Sequence, residues 1–422
     1  MGITEWVAVL VIFAVVYCLI KRYETRLVLI GSGLLLCLIS WNLVGGLNAF
    51  AKSMTNASLV MAICGSMGFA FVAKYTEADR SLVHYLSAPI RGLGIFLVPV
   101  CTAIPFFVNI AIPSAAGCAA AVGSTLIPVM LRAGIKPAGA AAAVLAGTIG
   151  SYLSPGTSHN PYVANMAHID VMEFIGFHAP YSIMIGAFGV IGTLIMCILL
   201  GDGKGDKNAK IDESKAQKTD DFTPNPIKAL VPLVPITILV VGNLWCPFIK
   251  MGVAQAMVLG AVIALAVARP NPETFTKEFF NGCGKGYADV MGIIIAAGVF
   301  AAGLREAGLI DVFVQSLKES NEIARWGGSI GPFIMGVITG SGDAATLAFN
   351  ETVTPHAEDF GMSIQGLGGL AFLAGAAGRT ASPLAGVTIL VSGIAMVSPI
   401  EGIKRTALPM LAATIVCALI MV

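Results

Sequence analysis

The sequence predicts an all-α polytopic membrane protein built from two inverted-topology repeats, each with five spans, a re-entrant hairpin and a broken helix. Three observations predict it. The 422 residues are 56% hydrophobic and only 12% charged, against about a quarter charged in soluble domains, and the apolar runs are many and long. A set of turn residues recurs some 227 positions along the chain. Lysine and arginine fall mostly on one side of the implied membrane.

The repeat begins with two polar tips between apolar runs. Pro113-Ser114-Ala115-Ala116 lies 227 positions before Gly340-Ser341-Gly342-Asp343. Pro128 precedes Pro355, and Gly134 precedes Gly361, by the same interval. With one residue of slippage, Ala146-Gly147 matches Ala374-Gly375, Ser154-Pro155 matches Ser382-Pro383, and Glu173 matches Glu401. A duplicated half of this length marks many secondary transporters. The domain division is therefore 1–200 and 228–422, joined by 201–227, a polar segment with little to bury that reads as a flexible linker.

Along the first half, spans are expected at 3–20, 27–44 and 55–75, then a surface segment to Arg91. A hairpin has arms at 93–111 and 115–132. A span at 137–166 breaks near Ser154-Pro155-Gly156, and another runs 179–200. Met1 to Ile20 lacks a basic leading region and reads as the first span, not a signal peptide. The second half repeats the order, with spans at 228–247, 251–268 and 286–304 and a surface segment at 305–325. A hairpin turns at 340–343, a span at 364–397 breaks at Gly378-Arg379-Thr380-Ala381-Ser382-Pro383, and a last span covers 405–421. Glycine frees the backbone and proline removes a donor, so helices should stop at these breaks.

Five crossings per half force the second half upside down. In that arrangement 19 basic residues face one side and five (Lys52, Lys250, Arg305, Lys318 and Arg325) the other, with only Arg379 left within the membrane. The positive-inside rule then puts the linker in the cytoplasm and both termini outward.

Chemistry is expected where tips and breaks meet. Broken helices expose N–H donors that suit a carboxylate and carbonyls that suit Na⁺. Ser114 and Ser341 stand at the tips, where a serine caps a helix. Arg379 is costly in lipid, stays charged and grips a carboxylate through two parallel bonds; the plain alternative is an ion pair with Asp343 or Glu351. Asp343 is a cation or proton ligand, or the partner of Arg379. Glu351, two turns further on, would line the same pathway. Thr157, Ser158, His159 and Asn160 mirror the 379–382 break, and His159 either carries a proton or hydrogen-bonds across the break.

Other patterns lead nowhere. Gly327-Gly328-Ser329-Ile330-Gly331 has the spacing of a nucleophile elbow without its strand–turn–helix setting. Gly282-Cys283-Gly284-Lys285-Gly286 lacks the spacing of a phosphate loop. The nine cysteines lie mostly in apolar runs and show no metal-ligand spacing. A net charge of +1 gives no reason to expect a nucleic-acid partner. An enzyme and a passive channel are both disfavoured.

The stretches AAGVFAAGLREAGLID, TGSGDA and GRTASPLAGVTILVSGIAMVSPIEGIKRTALPML resemble the DcuC-type anaerobic C4-dicarboxylate carriers of bacteria, over nearly the whole chain. The wider group is similar to the ion transporter superfamily, whose members pair two hairpins with two broken helices and are commonly homodimers. The resemblance implies alternating-access transport of succinate, fumarate, malate or aspartate as exchanger or cation-coupled carrier. It needs no cofactor beyond a coupling ion, Na⁺ (near Asp343) or H⁺. It carries a substrate role onto Ser114, Thr157, Ser158, Asn160, Ser341, Arg379, Thr380 and Ser382. One departure stands out: the family places an acidic residue at the first break and an amide at the second tip, whereas here Asn160 is at the break and Asp343 at the tip. Coupling ion and exact substrate stay open. So do two rivals, a carrier of citrate, gluconate or a monocarboxylate, and a Na⁺/H⁺ antiporter built around Asp343.

Overall fold

The computed structural model describes residues 2–21, 23–87, 94–205, 222–310, 312 and 321–422. Among these residues there is no strand. In the first half the helices are α1 (Ile3–Ile20), α2 (Thr25–Ile39), α3 (Leu43–Met54), α4 (Ala57–Tyr75), α5 (Ala78–Ser87), α6 (Gly94–Ala111), α7 (Ala115–Arg132), α8 (Pro137–Gly147), α9 (His159–Met166) and α10 (Val171–Leu199). The second half holds α11 (Pro226–Leu244), α12 (Val253–Ala268), α13 (Pro272–Glu306), α14 (Asn321–Thr339), α15 (Gly342–Thr352), α16 (Ile364–Thr380), α17 (Gly386–Ala395), α18 (Pro399–Ile403) and α19 (Ala407–Ile420). Among the described residues, α4, α6, α7, α10, α11 and α13 are long and apolar enough to cross a membrane. Shorter apolar helices accompany them, and large apolar side chains such as Leu10, Phe13 and Ile191 are exposed on the outer faces. That is the expected surface of a protein dissolved in lipid, where every backbone group must be satisfied internally.

The core is built around the helices that precede the two breaks. Residues 138–147 of α8 are all buried, and so are 366–378 of α16. A helix apolar all round belongs in an interior, and alanine and glycine let neighbouring backbones approach closely. The closest approaches are duplicated. A Cβ on Gly150 would lie 1.9 Å from the Phe106 carbonyl oxygen, and one on Gly378 would lie 2.1 Å from that of Phe333. Each first hairpin arm, α6 or α14, is thus pressed against the broken span of its own half. Gly134 (φ +86°) and Gly361 (φ +70°), paired in the sequence repeat, both take the left-handed conformation ahead of those spans, where glycine carries no steric cost.

The turns fall as expected, at residues 112–114 and 340–341, and both breaks are present, at 148–158 and 381–385. Three features differ. First, α3 is a separate helix that the sequence reading did not assign; Asn56 accepts from Leu59 N at 3.3 Å and starts α4 afresh. Second, the span expected at 286–304 is the end of a 35-residue helix, α13. Its counterpart of the α3–α4 break is a π-helical turn over Tyr287–Met291, which widens the helix without ending it. Third, the expected linker does not begin at 201. Asp202 is fully buried and receives both Arg405 Nε and Nη2 at 2.9 Å, while Lys136 N donates to its carbonyl at 2.8 Å. Residues 206–221 of that segment, and 311 and 313–320 of the expected surface segment, lie outside the described residues.

Candidate functional site

Both tips and both breaks converge on one cavity of about 430 Å³. The first tip contributes Ser114 and the second Ser341 and Asp343; the first break contributes Thr157, Ser158 and His159, and α16 contributes Arg379. Seven of the eleven expected site residues therefore share a single wall. The cavity continues into a larger one of about 690 Å³, through the shared residues Met67, Ser114, Ala116 and Lys285. Lys74, Glu77, Asp79 and Arg80 line that second space.

The two tip serines do different things. Ser114 Oγ accepts from Gly117 N at 3.1 Å and caps α7. Ser341 was expected to do the same for α15 but does not: its hydroxyl makes no capping bond. Thr339 Oγ1 ties down the turn instead, accepting from Ser341 N at 3.2 Å while its hydrogen goes to the Met335 carbonyl at 2.7 Å. Ser341 and Ser158, which likewise caps nothing, keep their hydroxyls for the cavity. Thr157 lines the cavity but donates its own hydroxyl to the Ser151 carbonyl at 2.6 Å.

Arg379 sits on the last turn of α16, where the helix dipole favours a cation. Its guanidinium reaches the Thr148 carbonyl at 3.4 Å. No carboxylate among the described residues forms an ion pair with it, neither Asp343 nor Glu351. Asp343 instead meets His159: Nε2 and Oδ1 are 3.0 Å apart, with the imidazole buried and the carboxylate open to the cavity. The ring stacks on Phe372 with centroids 4.6 Å apart, and its Nδ1 has no hydrogen-bond partner. Asp343 is in the first turn of α15, so the helix N-terminus also favours its charge.

Four expected residues stand elsewhere. Asn160 is fully buried; its Nδ2 donates to the Tyr152 and Ser154 carbonyls, each at 2.8 Å, and its Oδ1 pairs with His178 Nε2 at 3.0 Å. Thr380 is buried and donates to the Ala376 carbonyl at 3.0 Å. Ser382 donates to the Val337 carbonyl at 2.6 Å and accepts from Leu384 N at 3.1 Å. Asn160 thus holds carbonyls of the first break, Ser382 binds the last turn of α14 at the second tip, and Thr380 bonds back within α16; backbone groups left unpaired at membrane depth need such partners. Glu351 accepts from the Tyr162 hydroxyl and lines a different cavity.

The sequence reading missed Lys285 and Asp289. They pair at 2.7 Å across one turn of α13, Lys285 just before the π turn and Asp289 within it, and both line the central cavity. Arg379 is accordingly not the only basic side chain there. The spacing Lys-x-x-x-Asp at the mouth of an apolar run was the available signal.

The residues from 47 to 422 match the family model of the DcuC C4-dicarboxylate anaerobic carriers. The chain belongs to the DcuC family. It is 28% identical to the anaerobic C4-dicarboxylate transporter DcuC of Escherichia coli, over 97% of this chain and 94% of that one. A transporter of Haemophilus influenzae is 47% identical over 277 residues, 64% of this chain and 99% of that protein. Among solved structures, MtrF of Neisseria gonorrhoeae, described within a class of antimetabolite efflux pumps, superposes with TM-score 0.66 at 14% identity and covers 92% of this chain and 85% of its own. The YdaH transporter of Alcanivorax borkumensis gives 0.61 at 12%, covering 88% and 86%. These likenesses establish the helical transporter fold; the DcuC match makes the chain a transporter and not an enzyme.

Proposed function

We propose that this DcuC-family protein carries succinate, fumarate, malate or aspartate across the bacterial inner membrane by alternating access, as an exchanger or cation-coupled carrier. The observation that carries the reading is the central cavity. It places Arg379 and Lys285 with two unengaged serine hydroxyls where both tips and both breaks converge. A dianion needs two groups of donors. Arg379, which has no ion-pair partner among the described residues, takes one carboxylate; Lys285, at the junction with the wider space, takes the other. Hydrogen bonds from such charged donors to a carboxylate are roughly twice as strong as neutral ones.

The rest of the architecture follows as part of the same proposal. The halves are inverted repeats, the termini face outward and the 201–227 segment is cytoplasmic, because that arrangement agrees with the 19-to-five charge asymmetry. The space lined by Lys74 and Arg80 then opens to the cytoplasm. Movement of tips and broken spans against the remaining helices exposes the site alternately, in a homodimer. The coupling ion is taken up at His159–Asp343. A proton suits that pair better than Na⁺, because imidazole accepts protons whereas a hard cation wants oxygen ligands.

The test is radiolabelled succinate uptake into proteoliposomes, with and without internal fumarate, under imposed Na⁺ or pH gradients. Saturable uptake that internal fumarate accelerates, and that R379A abolishes in a folded protein, is the expected result. Full transport by R379A removes that residue from the site. Proton or Na⁺ movement with no succinate flux replaces the proposal by an antiporter.

A further inference from the structure

Lys52 at the end of α3 and Arg305 at the end of α13 face a cavity of about 290 Å³ that shares no lining residue with the central one. Ser53, Asn56, Asn165, Tyr162 and Glu351 complete its polar wall. It lies at the opposite end of α4 from the space beside Lys74 and Arg80. We infer that this cavity is a second anion site, which holds a dicarboxylate on the external face while the central site opens to the other side.

Charge is the first argument. Only five of the chain's 25 lysines and arginines belong to this side in the proposed orientation, because translocated segments are depleted of them. Two of those five, brought together from helices in different halves, line one small cavity. Both side chains are exposed, and neither forms an ion pair among the described residues. Glu351 is the one carboxylate in the wall, so two cations and one anion leave the space positive.

Hydrogen-bond capacity is the second. Asn56 Nδ2 donates to Asn165 Oδ1 at 3.2 Å, and Asn56 Oδ1 accepts from Leu59 N at 3.3 Å. Each amide oxygen already accepts one hydrogen bond, and the Asn165 amide N–H groups remain as donors. Tyr162 gives its hydroxyl hydrogen to Glu351, which takes up part of that carboxylate's acceptor capacity. What the wall offers a ligand is mainly positive charge and N–H donors, the complement of a carboxylate.

The nature of the anion rests on the function proposed above, so the experiment separates the two ideas. Binding of radiolabelled succinate to the full-length protein in detergent is measured by scintillation proximity in wild type, K52Q, R305Q and R379A. Two saturable sites per chain are expected. One of them is lost in K52Q and R305Q and the other in R379A, and K52Q and R305Q raise the external KM for uptake about tenfold. Both glutamine changes are at exposed positions, and unchanged gel-filtration profiles check that the variants fold. One site in wild type, lost in R379A and indifferent to K52Q and R305Q, overturns the second site and leaves the transport reading intact. One site that survives R379A and disappears in R305Q upholds the second site and overturns the role given to Arg379. No succinate binding in wild type overturns both.

Discussion

His159 Nε2 and Asp343 Oδ1 are 3.0 Å apart, although one belongs to the break of the first half and the other to the tip of the second. In the alternating access proposed above, both elements belong to the moving set, and a proton shared by the pair ties them together. H159Q keeps a hydrogen-bonding side chain and removes the imidazole. In proteoliposomes a pH gradient should no longer drive succinate uptake by H159Q, while exchange against internal fumarate persists at a reduced rate. D343N should do the same. Retention of gradient-driven uptake in both variants would move the coupling site elsewhere.

Gly150 and Gly378 answer a different need. An added Cβ would meet the Phe106 and Phe333 carbonyl oxygens at 1.9 and 2.1 Å, and a backbone carbonyl cannot swing aside as a side-chain tip can. G150A and G378A should each cost about 1–3 kcal/mol through overpacking, seen as a lower melting temperature in detergent and a loss of transport. Gly393 has open space around it, so G393A serves as a control expected to match wild type.

Much of the plan was legible because the backbone chemistry of turns is written locally. Pro113-Ser114 and Gly340-Ser341 mark turns because each stands between two apolar runs, and they recur after 227 residues. What could not be read was the division of labour among polar residues at the breaks. Thr380 and Ser382 carry hydroxyls like Ser158 and Ser341, and Asn160 is as polar, yet these three serve backbone groups and leave the cavity to the others. Only the packed geometry decides which way each hydroxyl turns. Glu351 was expected on the path of Asp343 because they are two turns apart on one helix, but that separation carries it to another cavity. Lys285 was set outside the membrane because the span was started one residue after it. The polar first half of α13 hid the continuity of the helix.

Lys285 gives the third prediction. It stands where the central cavity meets the wider space, paired with Asp289 in an arrangement about half open to solvent. Such an exposed pair contributes little to stability, so K285Q should fold normally. The expected result is a rise of about tenfold in KM for succinate, the loss of one charged contact to a carboxylate, with a smaller rise for a monocarboxylate competitor. Equal effects on the two would show that Lys285 does not grip the second carboxylate.

The pair Asp202–Arg405 yields the last. Two parallel hydrogen bonds of 2.9 Å join the end of the first half to the loop before α19, with Arg405 6% and Asp202 0% exposed. The Glu401 carbonyl takes a further bond from Arg405 Nη1 at 2.6 Å. Removing one partner strands a buried charge, which costs about 3–5 kcal/mol. D202A and R405A should each lower the melting temperature of the purified protein markedly, and the loss in one should not add to the loss in the other. Replacing both by apolar residues of similar size, as in D202L/R405M, should recover most of the stability, since the net contribution of such a pair over a packed apolar contact is small. Additive losses, or a double variant as unstable as either single one, would show that the two side chains act independently and that the pairing is not what holds residues 201–205 to the second half.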